Sequence, residues 1–221
     1  MDHRPVRVRV APSPTGKYHL GNARTALIDY LMARQSGGQF ILRIEDTDTK
    51  RFVEGAEEKL IDAMHWLGLS WDEGPDVGGP HAPYTQSQRK EIYQKYAEQL
   101  VDQGDAYYCF CSPERLSALR QEQEKKKEPH HYDGLCRSIP IEEARRRIQN
   151  GEKAVVRFKS PKEGQITVHD HLRGDITLDN RNIDDFILVK SNGLAVYHLA
   201  AMVDDHLMGI THVVRGAEWL A

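Results

Sequence analysis

No stretch of the 221 residues approaches the ~18 consecutive apolar positions that a membrane-spanning helix requires. The opening Met1-Asp2-His3-Arg4-Pro5 has none of the apolar core of a secretory leader. Both absences predict a cytoplasmic protein with no membrane partner. Neither sign of charge is in excess: 30 Lys+Arg stand against 33 Asp+Glu, an ordinary soluble balance of −3. Roughly 43% of the residues are apolar when Tyr is left out and Gly counted, close enough to the ~45–50% of globular domains to exclude a disordered chain. Three cysteines are an odd number, and in a reducing compartment they do not make a disulfide framework. What remains for them is free thiols or a metal site. There is no internal repeat and no phosphate-loop motif.

The charge that is present is unevenly placed. From Arg115 to Lys159 there are twelve Lys+Arg and seven acids, so this stretch is +5 and the remainder −8. A basic segment inside an acidic chain is either the footprint of a polyanion or a solvated helix face.

Periodicity orders the opening as strand, helix, strand, helix. Val6 to Val10 alternates Val with Arg and runs into Pro12-Ser13-Pro14-Thr15-Gly16, where the prolines stop regular pairing. Ala26, Leu27, Tyr30 and Leu31 have helical spacing up to Gly37-Gly38, and Phe40 to Leu42 reads as a buried strand. A second helix over about 54–67 carries Leu60, Ile61, Met64 and Leu67 on one face. This rhythm predicts a parallel α/β sheet. Turn residues crowd 72–83, and a helix over 88–103 places Ile92, Tyr96 and Leu100 in line. The texture then changes: polar helices at 114–126 and 141–150 flank short strands at 154–158, 166–168 and 186–189. These predict an α+β insertion over 95–194 between a first half at 1–94 and the start of a second half at 195–221. The last stretch predicts a helix over 197–208 and an apolar strand over 211–214.

Between the first strand and first helix, the end of an open α/β sheet is where ligands bind. Gly21 admits close approach to the backbone, helix N-terminal amides attract phosphate, and His19 can donate to an oxyanion. The alternative is a turn shaped by Pro and Gly in which His19 is incidental.

Several ordered strings carry a resemblance. Pro12-Ser13-Pro14-Thr15-Gly16 with His19-Leu20-Gly21-Asn22 resembles the first signature of the class I aminoacyl-tRNA synthetases, in the form used by the glutamyl and glutaminyl branch. Arg43-Ile44-Glu45-Asp46-Thr47-Asp48 with Arg51, Tyr84-Thr85-Gln86-Ser87, Tyr197-His198-Leu199-Ala200, Val203 through Gly209, and Val214 through Leu220 resemble further blocks of that branch, nearest its bacterial glutamyl type. The resemblance covers essentially the whole chain. It implies a Rossmann-like catalytic fold and a two-step reaction, in which ATP with Mg2+ activates L-glutamate to an adenylate and the 3′ end of tRNA takes the acyl group. It also implies that the insertion meets the tRNA acceptor end, with Lys125 to Lys127 and Arg145 to Arg147 facing it, and that the protein is a monomer.

By the same resemblance His19 and Gly21 are catalytic, and His19, Gly21, Asn22 and Glu218 hold ATP. Arg9, Tyr197 and Arg215 take the glutamate side-chain carboxylate, Glu45 and Ser13 its ammonium, and the backbone at Ala11 lines the same pocket. On their own, Arg9 is equally an exposed strand charge, Glu45 half of an ion pair, and Tyr197 core. One position departs from the branch: Tyr-His-Leu-Ala-Asn here reads Tyr-His-Leu-Ala-Ala, so Ala201 brings no polar side chain.

Cys109-x-Cys111 with Cys136 suits a structural zinc, which prefers four tetrahedral ligands. Some members of the branch complete such a site with a His two residues after the last cysteine or a Tyr four before it. Position 138 is Ser and position 132 is Tyr, so Tyr132 is the expected fourth ligand, with His130 or His131 as substitutes and metal-free thiols as the alternative. The branch's second signature, a Lys-Met-Ser-Lys-Ser type string, is not among the 221 residues, which predicts a truncated N-terminal catalytic region. The other readings are a shorter paralogue that glutamylates the queuosine base of aspartate tRNA, and a non-catalytic nucleotide- or tRNA-binding module.

Overall fold

The structure is a computed structural model and describes residues 5–15, 18–48 and 53–216. The chain divides into two compact units, one of residues 1–93 with 196–221 and one of residues 94–195.

In the first unit, strand β1 (Arg7–Val10) pairs in parallel with β2 (Gln39–Leu42), joined by helix α1 (Leu20–Ser36). Helix α1 stops where Gly37 takes a left-handed φ of 65° and its N–H returns to Ala33 and Arg34. Helix α2 (Ala56–Trp66) follows, and beyond it single parallel bridges, Ile41 to Glu73 and Ile44 to Thr85, continue pairing along β2. The parallel α/β pattern is therefore observed.

Alternation along the strands gives the two sheet faces different chemistry. Val8, Val10, Phe40, Leu42 and Ile44 join Ala26, Ala33, Leu60, Met64, Leu69 and Trp71 in one apolar core. The opposite face carries Arg7, Arg9, Ile41, Arg43 and Glu45, with Ile41 packed on Tyr84 and Met208. Helix α6 (Tyr197–Leu207) covers this second face and answers its charges with Asp204 and Asp205. Arg9 is therefore not an exposed strand charge, being only 6% exposed.

Three local expectations are corrected. In α1 the buried residues are Ala26, Asp29 and Ala33, while Leu27 and Leu31 are exposed, because small residues let the helix lie close to the sheet. In α3 (Lys90–Gln103) the buried line is Tyr93, Ala97 and Val101; Ile92, Tyr96 and Leu100 flank it half-buried. Residues 211–214 do not form a strand. The Thr211 hydroxyl accepts the Arg7 N–H at 2.8 Å, and the amides of Thr211 and His212 both converge on the Arg7 carbonyl, so no ladder propagates along β1.

The second unit contains the antiparallel sheet β3 (Ala106–Cys109), β4 (Val155–Phe158) and β7 (Ile187–Val189) in the order β3-β4-β7. It also has helices α4 (Pro113–Lys126) and α5 (Ile141–Gln149) and the hairpin β5 (Gln165–Asp170) with β6 (Gly174–Asp179). Strands β3 and β6 were not expected from the sequence. Ser112 caps α4 by accepting from the Arg115 N–H, with Pro113 in the first turn. Asp185 ties the sheet to its loops, accepting from Tyr107 Oη, Arg137 Nη1, Ser160 Oγ and Lys162 Nζ. Burial acts to raise this carboxyl, but those donors outweigh it and hold it at about 2. Among the described residues no helix is long and apolar enough to cross a membrane.

Asp29 is the anomaly of the first unit. It is fully buried and both carboxylate oxygens lack a hydrogen-bond partner among the described residues, so burial raises its pKa to about 7 against the opposing pull of Arg9. Between the ordinary carboxylate value and pH 7 the native state holds a proton that the unfolded chain has released, so stability falls as pH rises through that window. Asp29→Asn removes the charge. Its melting temperature is expected to exceed the parent's far more at pH 8 than at pH 4, the difference in stability reaching roughly 3–4 kcal/mol. Chemical denaturation at the two pH values measures it; an equal gap at both would show that Asp29 stays ionised.

Candidate active site and metal centre

The loop 11–15 leaves β1 with Pro12 and Pro14 buried and Ser13 exposed. It is pinned to the end of β2 by the Glu45 N–H donating to the Pro12 carbonyl at 3.0 Å. His19 follows as the N-cap of α1: its Nδ1 accepts from the Gly21 N–H at 3.1 Å, and the Asn22 side chain accepts from the His19 N–H at 3.3 Å. This capping box has a chemical consequence. With Nδ1 committed as an acceptor, the neutral ring carries its proton on Nε2, leaving a donor at the exposed helix N-terminus. Gly21 matters for a second reason, since a Cβ there would stand 3.0 Å from His19 Cε1 and push the ring out of the cap.

Behind this loop lies a buried network of alternating charge. Arg9 donates through Nε and Nη2 to the two oxygens of Asp205, at 3.0 and 3.2 Å. Arg43, wholly buried, donates through Nη1 to Asp205 at 2.7 Å and through Nη2 to Glu45 at 2.9 Å. Asp204 accepts from Arg89, Gln86 and Tyr93 at 2.7, 3.0 and 2.7 Å. Burial raises the Glu45 carboxyl, with Arg43 and Arg9 opposing it.

Tyr197, Ala201 and Asp205 recur every fourth residue and so line one stripe of α6. Tyr197 Oη accepts from Arg215 Nη2 at 3.0 Å, and Ala201 is fully buried between the two polar ends of the stripe. The structure thus joins Arg9 to Glu45 through Asp205 and Arg43, and Tyr197 to Arg215. Ala11 is half-buried in the loop beside them. Glu218, the fourth expected ATP residue, and Arg51 lie outside the described residues. Sequence reading missed the roles of Arg43, Asp204 and Asp205; the available signal was a pair of acids inside an otherwise apolar helix.

In the second unit, Cys109, Cys111 and Cys136 place their Sγ atoms within 4.8 Å of one another. Tyr132 Oη lies 3.4 Å from both Cys109 and Cys111, and the Cys111 and Cys136 sulfurs are 3.7 Å apart. Two thiolates each ~2.3 Å from a tetrahedral zinc would be ~3.8 Å apart, so the donor set fits. Burial pushes the Cys111 thiol up to about 11 and the Tyr132 phenol above the ordinary range. Cys109 is also buried, yet bonds from Tyr132, the Cys111 backbone and Arg157 hold it below the usual thiol value. The Arg157 guanidinium lies 4.0 Å over the Tyr132 ring. His130 and His131 are exposed and engaged elsewhere, with Glu124 and the Pro129 carbonyl.

Much of the basic segment is paired. Arg115 meets Asp133, Lys126 meets Glu122, Arg145 meets Asp102 and Glu98, Arg146 meets Glu143, and Arg147 meets Glu152.

Residues 5–221 match the family model of class I tRNA synthetases (E and Q), catalytic domain. The chain belongs to this family. It is 55% identical over 215 residues to a glutamate–tRNA ligase of Pseudomonas paraeruginosa, covering 97% of this chain and 44% of that protein. It is 54% identical to one of Dehalococcoides mccartyi, covering 43% of it. A crystal structure of a glutamate tRNA ligase from Elizabethkingia meningosepticum, in complex with its amino acid, superposes with a TM-score of 0.93 at 46% identity, over 98% of this chain and 45% of that one. The chain thus has the catalytic-domain fold of the synthetase family and spans less than half the length of these relatives.

The His19 geometry gives a direct test. Long-range proton–nitrogen correlation spectra at pH 8 are expected to show Nδ1 bare and Nε2 protonated. Gly21→Ala should mix the tautomers; a protonated Nδ1 in the parent would refute the cap.

Proposed function

We propose that this chain is the glutamate- and ATP-recognising part of a glutamate–tRNA ligase. The observation that carries this reading is the stripe on α6. It sets the Tyr197–Arg215 pair and the Asp205–Arg9 pair on one helix face, while Arg43 links that face to Glu45. Glutamate carries two carboxylates and one ammonium, and a desolvated pocket must offer cations and an anion at defined separations. Arg9, Arg215 and Tyr197 suit the side-chain carboxylate, Glu45 and Ser13 the ammonium, and the backbone at Ala11 the wall between them. The similarity to glutamate–tRNA ligases supports the same assignment.

In this reading the substrate α-carboxylate oxygen attacks the α-phosphorus of ATP, held with Mg2+, forming the acyl–phosphate bond as pyrophosphate leaves. His19 donates from Nε2 to a phosphoryl oxygen as charge builds there, and Gly21, Asn22 and Glu218 seat the nucleotide. The terminal ribose hydroxyl of tRNA then takes the acyl group and AMP leaves. Zinc fits Cys109, Cys111, Cys136 and Tyr132, where it would supply structural cross-linking of the inserted unit. That unit is the one assigned to the tRNA acceptor end. Its surface ion pairs at Lys126 and Arg145 to Arg147 are worth little each, so phosphates can replace their carboxylates.

Two measurements test this in the complete protein. Pyrophosphate exchange should show Arg9→Ala and Arg215→Ala raising the glutamate KM, each by ~2–5 kcal/mol of lost binding, and His19→Ala lowering kcat more than it raises the ATP KM. Unchanged glutamate KM in both arginine variants would remove them from the pocket. Metal analysis after mild purification should find one zinc per chain; folded, reduced and metal-free protein would return the cysteines to a thiol core. Retention of zinc in Tyr132→Phe would move the fourth ligand to His130, His131 or water.

A further inference from the structure

The glutamate reading names groups at two ends of a pocket and leaves unexplained what fixes the distance between them. The contacts on the buried face of the sheet answer that. Arg9, Asp205, Arg43 and Glu45 form a chain of alternating charge, contributed by β1, α6 and the end of β2, with Asp204 beside it at 3.8 Å from Arg43 Nε. Asp205 takes the Nε and Nη2 edge of Arg9, so Nη1 is the donor not engaged by Asp205. Arg43 engages only Oε1 of Glu45, so Oε2 is the acceptor not engaged by Arg43. The two ends of the chain therefore offer opposite charges, and the interior members are buried in the case of Arg43 and largely covered in that of Asp205, with side-chain exposures of 0% and 12%.

We propose that Asp205, acting through Arg9 and relayed by Arg43, is the positioning residue that sets the span between the cation and the anion of the amino-acid pocket, and with it the choice of glutamate over aspartate. This rests on the glutamate reading above. A buried guanidinium left to itself has several rotamers; one held through two bonds to a carboxylate, itself held by a second guanidinium, has one. The span is then a property of the folded sheet rather than of the ligand. An amino acid one methylene shorter can satisfy Arg9 or Glu45 but not both. The neighbouring Asp204 holds α6 in place through Arg89, Gln86 and Tyr93, so Asp205 is presented from a fixed helix.

The test uses the complete protein and pyrophosphate exchange with glutamate and aspartate. Asp205→Asn turns a donor toward a guanidinium that needs an acceptor. It is expected to lower kcat/KM for glutamate by up to about a hundredfold, to narrow the glutamate-to-aspartate ratio, and to leave the ATP KM near its parent value. Because Asp205 acts through Arg9, Arg9→Ala with Asp205→Asn should be no worse than Arg9→Ala alone. A folded Asp205→Asn with parental discrimination, or penalties that multiply in the double variant, overturns the proposal while leaving the glutamate reading standing. An Arg9→Ala variant with parental glutamate KM overturns both. If Asp205→Asn fails to fold, Arg43→Lys gives the same reading: it keeps the buried charge but loses the fork that spans Asp205 and Glu45, and unchanged discrimination in it overturns the proposal.

Discussion

Adjacent carboxylates on α6 organise the first unit. Asp204 and Asp205 lie almost two hundred residues from β1, yet Asp205 closes on Arg9 and Arg43 while Asp204 closes on Arg89, Gln86 and Tyr93. Isolated charges on a buried sheet face would be prohibitively costly, and each guanidinium here is tolerable only because a carboxylate arrives from the far end of the sequence. The reverse also holds, since Asp204 has no exposure and accepts three hydrogen bonds. Such a network contributes little net stability over an apolar core, but it admits few alternatives. Breaking any member leaves an uncompensated charge, which makes the arrangement specific rather than strong.

That specificity is what a small charged substrate requires. Arg9 and Glu45 are the ends of the network, so their positions are inherited from the backbone of β1, β2 and α6 rather than from flexible side chains on a loop. His19, the group proposed to face phosphate, is built differently. His19 is held by two local bonds within the first turn of α1, its ring by the Gly21 N–H and its backbone N–H by the Asn22 side chain. Under the proposed function, amino-acid recognition is therefore a tertiary property and nucleotide recognition mostly a local one. Asp29 is a different case, a carboxylate of α1 buried alongside Ala26 and Ala33 with no hydrogen-bond partner among the described residues, which raises its pKa.

The second unit uses a different economy. Its sheet is small, and two polar centres supplement it: Asp185 collects donors from β3 and two loops, and the cysteine cluster with Tyr132 gathers β3, the segment after it and the turn at 132–136. Arg115, Lys126, Arg137 and Arg145 to Arg147, half of the basic residues of this stretch, are held in ion pairs, so the count of positive charges overstates the unpaired ones.

Read alone, the sequence determined the features set by local chemistry. The Val–Arg alternation of β1, the loop prolines, the helix stop at Gly37-Gly38 and the Cys-x-Cys spacing all act within a few residues, where sterics and capping decide the outcome. The strings shared with the synthetases carried the family. Only the tertiary structure decided which face of each element is inside: small residues bury the Ala26 and Ala33 face of α1 and leave Leu27 and Leu31 exposed, and the buried line of α3 shifts by one residue. It also decided that Arg9 is buried, that 211–214 meets β1 through a hydroxyl rather than a ladder, and that Arg43, Asp204 and Asp205 join one buried charge network. The physical reason is common to all of these. A charge is readable as functional only when its partner is known, and here the partners are brought together by the closing of α6 over the sheet, a contact that no local pattern encodes.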